Sequence, residues 1–213
     1  MKMSNVLSYL DELFPNPRCE LNYNKDYELL LAVMLSAQTT DKRVNQVTEV
    51  LFKKYPTIES LAESDINDIE KIIKPIGTYK KKSQFIKSIA NTLVKDSRSI
   101  IPNDRKYLET LSGVGRKTIN VFLAEYYKVP AIAVDTHVER VSKRLNLVKS
   151  NSNVIEIEQT LMKRIPKDKW IKAHHQFIFF GRYHCKAIKP NCSCCKLSHL
   201  CKDYKEKGSD NND

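Results

Sequence analysis

Two stretches of this sequence carry residues whose types and spacing could do chemistry. The first is DRKYLETLSGVGRKTINVFLAEYYKVPAIAVDTH, Asp104 to His137. In it Lys117 follows a glycine pair at the expected start of a helix, and Asp135 opens the next helical segment, DTHVERVSKRL. A helix N-terminus and the adjacent Arg116 both disfavour a second cation, so the pKa of Lys117 is expected to fall, and a neutral amine is a nucleophile. Asp135 has the opposite bias: as an N-cap accepting backbone N–H groups it is expected to stay ionised. Each residue alone also has an ordinary reading, a solvated lysine and a routine capping aspartate.

The second stretch is CKAIKPNCSCCKLSHLC, in which Cys185, Cys192, Cys195 and Cys201 are spaced C-x6-C-x2-C-x5-C. Four thiolates so close in sequence can surround one metal centre, whereas a short loop pairs them poorly as disulfides. The spacing leaves tetrahedral zinc and a [4Fe–4S] cluster open, since both take four cysteines. His199 is a rival zinc ligand. Cys19 has no cysteine near it in sequence and reads as structural or incidental.

The elements around the lysine must turn sharply. Leu108 and Leu111 give one helix an apolar side, and Ile119, Val121, Phe122 and Leu123 do the same for the next. Between them Ser112-Gly113-Val114-Gly115 interrupts the helical pattern, and two glycines permit a positive φ and a close approach to the backbone. The N–H groups and positive dipole end of the second helix point out of this turn, which makes an anion site that a DNA phosphate fits. The motif is a helix-hairpin-helix.

Length and charge agree with a nucleic-acid partner. The chain has 213 residues, enough for one large or two small domains, and only 5 glycines, with long helix-period stretches, so an all-α fold is expected. A formal charge of +11 implies a polyanionic partner, nucleic acid ahead of membrane because no basic amphipathic anchor stands out. MKMSNVLSYLDELF is not patterned as a signal peptide and no stretch is apolar enough to span a bilayer. A cytoplasmic, nucleoid-associated monomer is expected.

Along the chain, residues 2–14 read as an amphipathic helix. Asp26 is expected to cap a buried helix through YELLLAVMLSAQ, which ends in the polar junction SAQTTD, and Thr40 to cap a helix running to about Tyr55. Short helices follow around 58–63 and 65–73. In PIGTYKKKSQFIKSIANTL, Gly77 allows a turn and the helix from Tyr79 carries Lys80, Lys81 and Lys82; three lysines are usually a solvated face, but after a glycine turn they suit phosphate contacts. Further helices are expected over 135–145, VIEIEQTLMKRI and Lys167 to His184. Trp170, Phe177, Ile178 and Phe180 read as core, and His174 and His175 as packing or polar-network residues. The tail KDYKEKGSDNND reads as disordered.

LSGVGRKTINV followed by AVDTHVERVSKRL, with the four-cysteine spacing at the end of the chain, closely resembles the endonuclease III family of DNA glycosylases, part of the helix-hairpin-helix, Gly/Pro-rich loop, Asp superfamily. Pro130 is the main trace of the Gly/Pro element. The resemblance runs from the N-terminal helix to Cys201. It implies an all-α fold of two helical domains with a DNA-binding cleft between them: residues 23–130 with the hairpin, and 1–22 plus 131–213 with an iron–sulfur loop at 185–201. It implies a [4Fe–4S] cluster on Cys185, Cys192, Cys195 and Cys201, with Cys194 left over. Such a cluster lowers the formal charge to about +9 and makes the loop locally acidic, which Lys186 and Lys189 would offset as phosphate contacts.

The resemblance further implies base excision repair. Lys117 and Asp135 would be catalytic, facing each other across the cleft. Lys117 would attack C1′ of an everted damaged nucleotide, Asp135 would stabilise the positive charge on the sugar, and β-elimination would cut 3′ to the abasic site. Oxidised pyrimidines in double-stranded DNA, and abasic sites, would be the substrates. Gly113, Val114 and Gly115 would grip phosphate, Gln38 would enter the space left by the flipped nucleotide, and His137 would order the aspartate or contact phosphate. The family places an apolar wedge beside the glycine of the IGTY turn; here Thr78 and Tyr79 stand there instead. Three rivals are an adenine glycosylase acting at mismatches, which generally lacks this lysine and carries a further C-terminal domain, a non-catalytic helix-hairpin-helix DNA-binding protein, and a cluster-bearing electron carrier.

Overall fold

A computed structural model describes residues 2–97 and 100–209. All regular structure among them is helical: α1 (Met3–Leu13), α2 (Asp26–Leu35), α3 (Asp41–Lys54), α4 (Ile58–Glu63), α5 (Ile66–Ile73), α6 (Tyr79–Lys95), α7 (Arg105–Thr110), α8 (Arg116–Tyr126), α9 (Thr136–Arg144), α10 (Val154–Arg164), α11 (Trp170–Phe179) and α12 (Lys202–Ser209). None is long and apolar enough to cross a membrane. The chain separates into two compact units, Glu20–Tyr127 and Met1–Cys19 with Lys128–Asp213.

The unit Glu20–Tyr127 is built around α2, in which every residue is buried. Its run of Leu29, Leu30, Leu31, Val33, Met34 and Leu35 has no polar face, so it can only be a central helix. Asp26 does not cap it. Asp26 is its first residue, and its carboxylate accepts the backbone N–H of Tyr27 at 2.7 Å and of Ile101 at 2.6 Å, which ties the helix start to the segment before α7. The free N–H groups ahead of the helix, on Asn24 and Lys25, go instead to Glu28. Side-chain caps set the other starts: Thr40 for α3, Thr57 for α4, Asp65 for α5 and Asp104 for α7.

The other unit packs α1, α9, α10 and α11 around Val6, Leu10, Val138, Val141, Ile157, Leu161, Phe177 and Phe180. Trp170 and Ile178 pack against this core, and Trp170 donates its indole N–H to the carbonyl of Ile165 at 2.9 Å. The expected helix from Lys167 to His184 is continuous but changes pitch: a 3₁₀ turn over Lys167–Lys169, α11, then a π turn over Phe180–His184. The π turn closes with the Cys185 N–H on the Phe180 carbonyl at 2.6 Å. The tail differs from expectation. Residues Lys202–Ser209 form α12, whose start is held by the Lys205 N–H on the Cys201 carbonyl and by an ion pair of Lys202 with Glu206. Residues 210–213 lie outside the described residues.

Candidate active site and metal centre

The hairpin between α7 and α8 has two unlike glycines. Gly113 has φ of 76°, and a Cβ there would stand 2.4 Å from the ring of Phe85, so this position serves the fold itself. Gly115 meets nothing within 4 Å, and as the N-cap of α8 it supplies no side chain to its N–H groups. Val114 buries its side chain and gives its N–H to the Leu111 carbonyl at 3.1 Å. The hairpin therefore offers an anion the open backbone at Gly115 and the first turn of α8, with the half-buried Lys117 as second residue of that helix.

Two other turns of the same unit carry candidate contacts. Gln38, exposed between α2 and α3, has φ of 57°, and Thr78, exposed ahead of α6, has φ of 56°. A third candidate, Lys189, has φ of 50°. Left-handed backbone in non-glycine residues costs energy and concentrates where chain geometry is constrained by use.

The lysine run behind Thr78 does not behave as one solvated face. Lys80 and Lys81 are exposed, but Lys82 is buried, and its ammonium donates to the carbonyls of Leu35 at 2.9 Å and Ala37 at 2.8 Å and to Thr39 Oγ1 at 3.4 Å. Burial pushes its pKa down. Phosphate contact is closed to it. The sequence held a signal for this: Lys82 lies on the same stripe as Ile86, Ile89 and Leu93, the buried side of α6.

In the other unit Asp135 caps α9. Its Oδ1 accepts the backbone N–H of His137 at 2.9 Å and of Val138 at 2.8 Å. His137 is half-buried, and its Nδ1 faces the Arg140 guanidinium at 3.2 Å, so Nδ1 accepts and the neutral ring carries its proton on Nε2. Burial lowers its pKa most; the Asp135 charge opposes that, while Arg140 and Arg182 add to it. Arg140, absent from the expected site, also donates to the carbonyls of Gly181 at 2.6 Å and Cys185 at 3.2 Å. One guanidinium thus joins the aspartate-bearing helix to the start of the cysteine loop.

The four cysteines Cys185, Cys192, Cys195 and Cys201 line a common cavity with Arg144, Phe180, His184, Ser198 and Asp203. Cys194 is exposed and does not line it. Neither does His199. Among the described residues no three or more His, Cys, Asp or Glu side chains are drawn together around a point that one ion could occupy. Burial pushes the Cys195 and Cys201 thiols up, so a bound cationic centre is what would make them thiolates. Arg144 braces the loop: it donates to the carbonyls of Lys186 at 2.6 Å and Ala187 at 3.1 Å, meets Cys185 Sγ at 3.6 Å and pairs with Asp203 at 3.4 Å. Lys186 and Lys189 are exposed on that loop, with Ile188 between them.

Residues 31–167 match the HhH-GPD superfamily of base excision DNA repair proteins. The chain is 45% identical to endonuclease III from Bacillus subtilis over 94% of its own length and 92% of that protein. Its structure superposes on a non-covalent endonuclease III–DNA complex with a TM-score of 0.94, at 46% identity and 97% coverage of both chains. A trapped endonuclease III–DNA covalent intermediate, an estranged-adenine complex, gives a TM-score of 0.93 at the same identity and coverage.

Proposed function

The chain belongs to the HhH-GPD superfamily of base excision DNA repair proteins and, within it, to the endonuclease III family, and on that premise we propose that it frees oxidised pyrimidines from duplex DNA and cuts the resulting abasic site through Lys117. It is a DNA glycosylase with AP lyase activity. The observation that carries the assignment of the nucleophile is Lys117 in the first turn of α8, a helix whose N-terminus has no side-chain cap, in a chain this close to a protein trapped covalently on DNA.

The reaction uses Lys117 and Asp135. Phosphate held at Gly115 and the start of α8 brings the everted nucleotide to Lys117. The Lys117 amine bonds to C1′, the glycosidic bond breaks with its electron pair leaving on the base, and the amine gives up a proton. Positive charge develops on the sugar, and the Asp135 carboxylate, fixed by two backbone N–H groups, stabilises it. Opening of the sugar gives a protonated Schiff base that acidifies the 2′ hydrogens. Loss of one of these expels the 3′ phosphate and cuts the strand. Gln38 and Thr78 occupy the space vacated by the nucleotide, with Tyr79 beside Thr78. Lys186, Lys189 and His137 add contacts to the duplex.

A [4Fe–4S] cluster fits the cysteine loop. Four cysteine thiols from one loop line one cavity, which is the ligand set such a cluster takes, at the spacing that resembles the endonuclease III iron–sulfur loop. Cys185, Cys192, Cys195 and Cys201 would hold it. It would supply no bond-making step to the lyase reaction; bound there it would fix the loop that Arg140 and Arg144 of α9 brace. The protein acts as a cytoplasmic monomer on nucleoid DNA.

Borohydride reduction on an abasic duplex tests the reading. Wild-type protein should become covalently linked to DNA. Lys117→Gln should bind the duplex, form no adduct and cut nothing. Efficient trapping by Lys117→Gln would move the nucleophile to another amine. Binding without any cutting by the wild type would leave a DNA-binding module.

A further inference from the structure

One buried charged group in the unit Glu20–Tyr127, Lys82, has no role in the chemistry above. Lys82 is 4% exposed, and no carboxylate among the described residues pairs with it. An ammonium has three hydrogens, and all three find acceptors: the carbonyls of Leu35 and Ala37 and the hydroxyl of Thr39. Those acceptors belong to a single short segment, the last residue of α2 and the turn that follows it.

That turn needs an outside support. A helix end leaves carbonyls unpaired, and many helices resolve this with a glycine in the left-handed region. Here the left-handed residue is Gln38, and the turn contains no glycine. Its own bonds are local: Ala37 N–H to Met34 O at 3.4 Å and Thr39 N–H to Ser36 O at 3.1 Å. The bonds that reach the turn from another helix come from Lys82. The ammonium also sits at the negative end of the α2 dipole, which favours a cation there.

The same lysine is bound into the second turn. Its backbone N–H donates to the carbonyl of Thr78 at 3.0 Å, within the first turn of α6. One residue therefore holds the Gln38 turn through its side chain and the Thr78 turn through its backbone. Both turns have exposed side chains on left-handed backbone.

We propose that Lys82 is a positioning residue that presents Gln38, at a fixed spacing from Thr78, to the gap left by the everted nucleotide. The proposal rests on the reading of Gln38 given above. Lys82 touches neither the substrate nor the duplex; it replaces the glycine cap that the turn lacks and so lets a long, hydrogen-bonding side chain occupy the left-handed position.

The test uses the full-length, iron-loaded protein and Lys82→Met, which keeps the length of the side chain and removes its donors. Three readouts are taken: single-turnover excision of thymine glycol from a duplex, fluorescence of 2-aminopurine placed opposite the lesion, and cutting of an abasic site in single-stranded DNA. The last has no opposite base and no gap to fill. Lys82→Met should slow duplex excision by about tenfold or more, as expected for a contact displaced by about an ångström, and should lose the 2-aminopurine signal. It should cut the single strand at close to the wild-type rate. In combination with Gln38→Ala it should be no slower than the worse single variant, because both act through one side chain.

Wild-type excision and fluorescence in Lys82→Met, with Gln38→Ala impaired, would overturn the proposal and leave the Gln38 reading intact. A Gln38→Ala variant that excises and signals normally would remove the reading on which the proposal stands. If Lys82→Met does not fold, Lys82→Gln, which keeps two donors on a shorter stem, takes its place with the same outcomes.

Discussion

Gly181 and His137 meet where no further side-chain atom fits: a Cβ on Gly181 would lie 2.8 Å from the Cβ of His137 and 3.3 Å from the Arg140 guanidinium. The glycine sits in the π turn that leads into Cys185, and the histidine lies in the first turn of the helix capped by Asp135. The helix carrying the aspartate and the start of the cysteine loop are thus in direct backbone-level contact. Gly181→Ala forces them apart. It should destabilise the protein by about 1–3 kcal/mol, as overpacking does, and slow excision, while Lys117 trapping on preformed abasic DNA falls less. Thermal melting and single-turnover rates measure this; an unchanged melting temperature would mean that the contact yields freely.

His137 sets a pH response. Its pKa is lowered in the folded protein, chiefly by burial. The unfolded chain, with an ordinary histidine near about 6.5, then takes up its proton first as pH falls. The stability from keeping the ring neutral is complete above that value and is lost as pH drops towards the folded pKa. The melting temperature of the wild type should therefore fall more steeply between pH 7 and pH 5 than that of His137→Gln. Iron content followed in the same samples separates this from loss of the cluster. Parallel curves for the two proteins would remove His137 as the source.

Asp135→Asn separates the two chemical steps. The amide can still accept a backbone N–H, so α9 should keep its start, but the negative charge is gone. Base excision, in which charge develops on the sugar, should slow by about a hundredfold or more, the usual cost of losing one such electrostatic group. Borohydride trapping on preformed abasic DNA should persist, since Lys117 remains. Equal loss in both assays would recast Asp135 as the base that deprotonates Lys117.

The cysteines make a sharp pair of variants. Cys192 lines the cavity and Cys194, two residues on, does not. Cys192→Ser should lose the cluster, and Cys194→Ser should keep it, with about four irons per chain and a yellow-brown colour after aerobic purification. Stoichiometric zinc in a colourless, active wild-type preparation would sink the iron–sulfur assignment.

Much of this protein is written locally. The helices, the hairpin at Ser112–Gly115 and the capping aspartate at 135 follow from apolar period, glycine placement and side-chain caps within a few residues, all of which the sequence displays. The four-cysteine spacing likewise marks a centre before any fold is known, because its members lie within one loop. What lay beyond sequence was decided by partners far along the chain. Lys82 looked like its two lysine neighbours, but helical phase turns it inward onto carbonyls more than forty residues earlier. Asp26 looked like a cap, yet its carboxylate is claimed by the backbone of Ile101. Nothing local in the sequence sets Arg140 and Arg144 apart from the other basic residues of their helix, yet they brace the cysteine loop. Hydrogen bonds of a charged side chain depend on which unpaired backbone groups the packing delivers to it. Sequence announces the charge and the helix; only the tertiary structure decides which carbonyls it must satisfy.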